Sequence, residues 1–190
     1  MELVDIITCH GGTPQTRIHE SIEADARVYY LYGQADLEAD TVGFMSDLSQ
    51  NKTVRTLDKV TTVSEGDIIF SLISGVAARV RAARHGLLYT QNYVLLRPDT
   101  SILNPDYLVY LLNSHPSVRR QLSESLQGSR IKKYTLVQLR SLVLPSLPTL
   151  KKQRLIADIY FKQLRLTALK SKVAQQESLA VRILLQGSTA

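Results

Sequence analysis

The chain has 190 residues, 44% of them hydrophobic, and carries 23 lysines and arginines against 17 aspartates and glutamates. This length and apolar content are typical of one globular domain with an appendage, and they exclude a disordered chain. The apolar runs are far shorter than the ~20 residues that span a bilayer and the N-terminus lacks a signal pattern, so we expect a cytoplasmic protein without a membrane partner. One cysteine, Cys9, excludes an internal disulfide framework and a cysteine-based metal site.

Charge is distributed unevenly along the chain. Residues 1–118 carry 9 basic and 14 acidic side chains, a net −5, whereas residues 119–172 carry 13 basic and 2 acidic ones, a net +11. This polarity is typical of a protein that meets a polyanion, although a solvated basic face would have the same composition.

Short strands are predicted through the first 148 residues. The aromatic run 28–33 predicts a short buried strand that ends at a glycine. Alternation in 77–83 would place Arg79 and Arg81 on one face of a strand and Val80 on the other, before a turn at 84–86. Further strands are predicted at 60–63, 68–75, 87–89 and 93–97.

Helices follow the strands. Asn104 is predicted to cap a helix that starts with Pro105 and Asp106, because asparagine, proline and aspartate are each favoured at those positions. A second helix is expected over 117–126, and a short helix over 136–141 leads into a strand at 142–144.

The last part of the chain predicts one long helix. From Thr149 to about Gln186 the sequence contains no proline or glycine, and a single helix over this range would be ~57 Å long. Pro145 and Pro148 forbid continuation of the preceding strand and stiffen the joint. We therefore divide the chain into a domain over 1–148 and a helix over 149–190. The helix either projects and pairs with another helix or folds back on its own domain as an ordinary amphipathic helix. Apolar or small residues with heptad spacing are Leu155, Ile159, Leu166, Leu169, Val173, Ala180 and Ile183.

Catalytic and cofactor motifs are missing from the sequence. The four histidines are scattered without metal-ligand spacing, and Gly11-Gly12 has no phosphate-loop lysine after it. The segment 104–107, Asn-Pro-Asp-Tyr, departs at its third position from the Asn-Pro-Pro-Tyr of amino-methyltransferases. The sequence therefore predicts a binding protein without catalytic residues, cofactors or metals.

Several segments, in order, resemble the specificity (S) subunit of type I restriction-modification systems. Together they cover about residues 60–186, and the N-terminal third is similar only through the Gly-Gly-Thr-Pro turn that ends at Pro14. The matching segments are 66–71 with Gly75, 89–98, 104–114, Gly128 and Ser129, Ile131, 136–139 and 143–153 followed by Ile156.

The resemblance implies an α/β (α+β) target recognition domain with a mixed, twisted sheet and short helices, followed by a long coiled-coil-type helix. It implies no catalysis by this chain. A full S subunit has two such halves, each reading one half of a bipartite DNA site, with the two long helices packed antiparallel as a spacer. This chain has one half, so we expect a homodimer through the helix, with methyltransferase (M) and restriction (R) subunits as further partners. The family commonly has glutamate where this chain has Lys152, which leaves Lys151, Lys152 and Arg154 at the positive end of the helix dipole.

Contacts to double-stranded DNA are expected from basic side chains near turns and from polar side chains on projecting loops. Two alternatives remain open: a coiled-coil scaffold that docks an acidic partner without DNA, and an orphan DNA-binding protein without methyltransferase partners. The candidate DNA-binding residues are Arg79, Arg81, Arg84, Thr90, Gln91, Asn92, Ser129, Arg130, Lys132 and Lys133.

Overall fold

The computed structural model describes residues 1–43, 51–126 and 133–187. The strands in these ranges are β1 (Ile7–Gly11), β2 (Arg27–Tyr30), β3 (Thr53–Thr56), β4 (Ile68–Ser71), β5 (Ala77–Arg79) and β6 (Tyr93–Pro98). The α-helices are α1 (Gln34–Val42), α2 (Pro105–Ser114), α3 (Pro116–Glu124), α4 (Leu136–Arg140) and α5 (Leu150–Gly187). Short 3-10 helices lie at Leu3–Asp5, Gln15–Arg17 and Ala82–Arg84.

Four strands form an antiparallel sheet in the order β1, β6, β4, β5. Both of its faces are buried, because successive side chains of a strand point to opposite sides and each side meets its own apolar cluster. Ile68 and Phe70 of β4 point into one cluster, and Ile69 between them points into the other. The sheet is therefore the middle layer of the domain.

Different helices cover the two faces. Helices α2, α3 and α4 and the start of α5 contribute Leu108, Leu111, Val118, Leu139 and Ala157 to the first cluster. Helix α1 contributes Leu37 to the second cluster, together with residues from the loops around the sheet. The predicted α/β fold class with short helices is confirmed.

Local sequence signals set the helix starts. The Asn104 side chain accepts a hydrogen bond from the backbone N–H of Tyr107, and Pro105 occupies the first helical position, so the predicted cap of α2 is confirmed. Thr135 and Gln138 form a capping box at the start of α4.

Helix α5 is 38 residues long, as the uninterrupted sequence predicts. Its first turns pack against α2, and from residue 169 to residue 186 every side chain is exposed. The helix thus leaves the domain that holds its base. None of the helices in the described part of the chain is long and apolar enough to cross a membrane.

Several strand predictions were wrong. Strand β2 pairs only with β3 in a two-stranded ribbon and lies at the surface, where Val28 is 58% exposed. The strand predicted at 77–83 ends at Arg79, because the chain turns into the 3-10 helix that follows. The strands predicted at 60–63 and 142–144 are reduced to single bridges, from Thr62 to Leu88 and from Val143 to Glu2.

Candidate nucleic-acid interface

The turn at 90–92, immediately before β6, presents two exposed or half-buried amide side chains. Gln91 accepts a hydrogen bond at Oε1 from the backbone N–H of Gln15, over 2.7 Å. Asn92 accepts one at Oδ1 from Nζ of Lys133, over 2.9 Å. The turn is therefore tied to two segments that are distant in sequence, and its polar groups are held in place rather than free to swing.

A hollow of about 320 Å³ opens beside this turn at the N-terminal end of α1. Side-chain amides and lysine ammonium groups are the donors and acceptors that read base edges in the major groove. The polar side chains that line the hollow are Gln15, Gln34, Asn51, Lys52, Thr90 and Asn92, together with the carboxylate of Asp36 and the rings of Tyr32 and Tyr93. Several such groups gather around this one cavity, and we call it the amide hollow.

Arg84 is not available to DNA. Its side chain is 1% exposed, and its guanidinium lies 2.9 Å from the carboxylate of Asp40 and 3.3 Å from that of Asp36. Burial raises the pKa of Asp40, while the hydrogen bond from the Tyr32 hydroxyl and the Arg84 charge act in the opposite direction. Because the guanidinium is buried against two carboxylates, we remove Arg84 from the proposed DNA contacts.

Thr90 is also closed off from solvent, with 4% of its surface exposed. It lines the amide hollow, and its backbone is closely approached by another segment: a Cβ at Gly12 would lie 2.2 Å from the Thr90 carbonyl oxygen. Only glycine permits this approach of two chain segments. Thr90 therefore shapes the turn, and we assign it no DNA contact.

Arg79 and Arg81 lie at a second place, in a groove of about 560 Å³ between β5, the start of α2 and the first turns of α5. Arg79 donates to the carboxylate of Asp106 over 2.9 Å, whereas Arg81 is exposed. Arg154 also lines this groove, which carries acidic groups as well. Its charge is therefore mixed. The acidic side chains in the groove are Glu65, Asp106 and Asp158.

The two places flank α1. The amide hollow meets the first residues of that helix, and Arg81 lies near its last turn, where a Cβ at Gly43 would be 3.4 Å from the guanidinium. Nine helical residues separate these ends by roughly 14 Å. The predicted DNA-binding residues thus divide into two groups. Ser129, Arg130 and Lys132 lie outside the described residues.

Sequence reasoning missed four amide or lysine members of the amide hollow: Gln15, Gln34, Asn51 and Lys52. They come from separate segments, and only the fold brings them beside the turn at 90–92. Gln15 directly follows the Gly-Gly-Thr-Pro turn that ends at Pro14, and this position after a turn is the signal by which the sequence could have pointed to it.

The predicted heptad positions of α5 form an exposed apolar stripe. Leu155 and Ile159 are about as exposed near the base, at 60% and 59%, as Ile183 is near the tip, at 59%. Leucines outside the heptad pattern, such as Leu179 and Leu184, are exposed as well. The stripe members in the predicted pattern are Leu155, Ile159, Leu166, Leu169, Val173, Ala180 and Ile183.

The fold and these surfaces define a class: an α/β domain that carries polar turns and holds one long projecting helix at its base. The family of the type I restriction modification DNA specificity domain matches residues 27–176, which include the greater part of both the domain and the helix. The chain belongs to this family.

Several solved structures share this fold. The HsdS subunit from Thermoanaerobacter tengcongensis aligns with a TM-score of 0.57 and 20% identity over 92% of this chain and 39% of that one. A structure that concerns complex assembly and conformational transition of the type I R-M system aligns with a TM-score of 0.60 and 18% identity, over 96% and 42%. The S subunit from M. genitalium aligns with a TM-score of 0.52 and 17% identity, over 94% and 40%. This chain therefore spans about 40% of the length of these proteins. No curated protein sequence matches it significantly.

Proposed function

We propose that this chain is a DNA sequence-recognition subunit of a type I restriction-modification complex and reads one half of a bipartite site. The observation that carries the proposal is the family match, which runs without interruption from the recognition domain into the projecting helix. The chain itself performs no chemistry in this proposal. Methylation of adenine and cleavage of DNA belong to its partner subunits.

The turn at 90–92, the amide hollow and Lys133 form the proposed base-reading surface. Gln91 and Asn92 offer the paired donor and acceptor that adenine requires, and Lys133 and Lys52 supply cations for guanine or phosphate. Arg81 and Arg154 at the other end of α1 are proposed phosphate contacts, since phosphate contacts position a protein on DNA without reading sequence. The net +11 of residues 119–172 supports a polyanionic ligand.

The apolar stripe of α5 is proposed to pair with a second copy of this chain. Large aliphatic side chains are 43–73% exposed along the helix, and burying them is favourable by roughly 25 cal/mol per Å² of apolar surface. An antiparallel pair of α5 helices would place two recognition domains at opposite ends of a common spacer. Two-fold symmetry would then make the two recognised half-sites inverted copies of each other.

Methyltransferase (M) subunits are proposed to dock on the helical region, with restriction (R) subunits joining the larger assembly. The exposed leucines outside the heptad pattern support this, because they widen the apolar surface beyond what one partner helix covers. In this arrangement the chain brings the DNA site and the catalytic subunits together.

Salt dependence separates this function from that of a scaffold without DNA. Each phosphate neutralised contributes about −0.9 to the slope of log K against log salt, so about five cations should give a slope near −4 to −5. We would titrate mixed-sequence duplex DNA against the full chain by fluorescence anisotropy at several salt concentrations. A slope near zero, or no binding at low salt, would favour the scaffold.

A further inference from the structure

Gln153, in the first turn of α5, is a buried polar side chain at the base of the projecting helix, with 1% of its surface exposed. Its Oε1 accepts a hydrogen bond from the backbone N–H of Asn104 over 2.8 Å. Its Nε2 donates to the carbonyl of Ile102 over 3.0 Å and to that of Pro148 over 2.8 Å. One amide therefore joins three segments: the loop before α2, the proline joint and α5.

This contact completes the start of a different helix. Asn104 caps α2 with its side chain, and in a capping box the side chain three residues later would accept the N–H of the cap residue. Here that residue is Tyr107, whose side chain is buried in the core and carries no carbonyl or carboxylate acceptor. Gln153 of α5 supplies the missing acceptor for the backbone N–H of Asn104. The first turns of α2 and α5 are thus held to each other by directed hydrogen bonds.

Apolar packing continues the contact for two further turns. Ala157 is buried in the same cluster as α2, and the ring of Tyr160 meets that of Tyr110 at 5.5 Å in an edge-to-face arrangement. Packing of this kind tolerates small rotations, whereas three hydrogen bonds to one planar amide fix both distance and direction. Beyond Phe161 the side chains of α5 turn mostly to solvent, so the direction of the helix is set at its base.

We infer that Gln153 is the positioning residue that sets the angle between α5 and the recognition domain, and with it the separation of the two half-sites. The second part of this inference rests on the proposed function. About 34 residues of helix follow Gln153, or ~51 Å, so a tilt of about 10° at the base would move the tip by about 9 Å, which corresponds to two or three base pairs. Small freedom at this joint is therefore large at the far recognition domain.

The angle can be measured directly by pulsed electron paramagnetic resonance. Cys9 is replaced by serine, and nitroxide labels are placed at Arg120→Cys in α3 and Lys170→Cys in α5, both exposed positions. Labelled chains are diluted with unlabelled ones so that only distances within one chain contribute. We expect a single narrow distance distribution for the otherwise unchanged chain. A broad or bimodal distribution in this chain would overturn the inference, because the angle would then vary even with Gln153 in place.

Two substitutions then test the amide. Gln153→Met keeps the length of the side chain and removes all three hydrogen bonds, and Gln153→Glu keeps the acceptor but turns a carboxylate toward two carbonyl oxygens. Both should widen the distance distribution at least twofold. Gln163→Met, at an exposed position of the same helix, is the matched control and should leave the width unchanged. A folded Gln153 variant with the width of the control contradicts the inference.

The preferred spacing between half-sites is a second readout, which would not change if Gln153 only stabilised the fold. Once the recognised half-sites are known, duplexes with one to three base pairs added to or removed from the spacer are compared. The unchanged chain should bind one spacing at least tenfold better than its neighbours, and the Gln153 variants should lose this preference. If Gln153 variants widen the distance distribution while no chain binds DNA, the joint is established and the proposed function fails. If both Gln153 variants still bound one half-site spacing much better than its neighbours, the proposed role of Gln153 in setting that spacing would be wrong.

Discussion

The guanidinium of Arg84 lies 2.9 Å from the carboxylate of Asp40, and at most 1% of either side chain is exposed. Asp36 adds a second carboxylate at 3.3 Å. Arg84 is the last residue of the 3-10 helix Ala82–Arg84, whereas both aspartates belong to α1. This buried group therefore attaches α1, and the amide hollow at its start, to the rest of the domain.

Replacing Arg84 by methionine should lower the free energy of unfolding by about 3–5 kcal/mol, because two carboxylates would stay buried without their cation. Urea unfolding followed by circular dichroism measures this. Arg81→Met, at an exposed position three residues earlier, should change stability by less than about 0.5 kcal/mol. If Arg84→Met left the free energy of unfolding unchanged and weakened DNA binding, Arg84 would be an exposed DNA contact and not a buried ion-pair residue.

Replacing Lys133 by alanine should weaken DNA binding several-fold and reduce the magnitude of the salt slope by about 1, if Lys133 neutralises a phosphate. The variant also frees Asn92, which accepts a hydrogen bond from Lys133. Arg120→Ala is the control, since this exposed arginine belongs to α3, on the face of the sheet that α1 does not cover. Equal losses in both variants would mean that binding is not directed to the turn at 90–92.

Replacing Leu169 by glutamate should convert a dimer of the chain into a monomer, because it puts a charge into the apolar stripe of α5. Sedimentation equilibrium reports the mass. Ser171→Glu introduces the same charge on another face of the helix and should leave the dimer intact. A dimer that survives Leu169→Glu would show that the copies associate elsewhere.

Burial, with the charges of Asp36 and Glu38, raises the pKa of Tyr93 to about 12. The unfolded chain releases this proton near pH 10, so the stabilisation is complete below pH 10 and is lost as the pH rises toward 12. At pH 11 the loss from Tyr93 alone should be about 1 kcal/mol. Tyr93→Phe should remove that part of the loss relative to pH 9 in urea unfolding. Tyr30→Phe, at a residue that is 44% exposed, should not. Identical pH profiles for all three chains would contradict the raised pKa.

The sequence predicted those parts of the fold whose signals are local. The cap at Asn104 and the length of α5 depend on a few neighbouring residues or on an uninterrupted pattern, and both were predicted. The strand at 28–33 failed because burial depends on what covers a strand, which the aromatic residues themselves do not specify. Tyr32 of that run is buried, but Val28 is not.

The candidate site was predictable only in outline. Arg84 resembled a surface cation because its partners, Asp36 and Asp40, lie more than 40 residues earlier in the chain. The amide hollow joins four separate segments, and Gln153 meets Asn104 across 49 residues. Pairings over such separations are fixed by tertiary packing, and residue types and spacing along the chain do not encode them in readable form.

The most direct test of the central claim is a methylation map. The chain is produced together with a candidate methyltransferase (M) subunit in a host without type I systems, the complex is purified, and methylated adenines in the host DNA are located. We predict methylation at one bipartite sequence whose two half-sites are inverted copies, and loss of that pattern when Asn92 and Lys133 are replaced. An intact complex that methylates no DNA sequence would contradict the role of this chain as a specificity subunit.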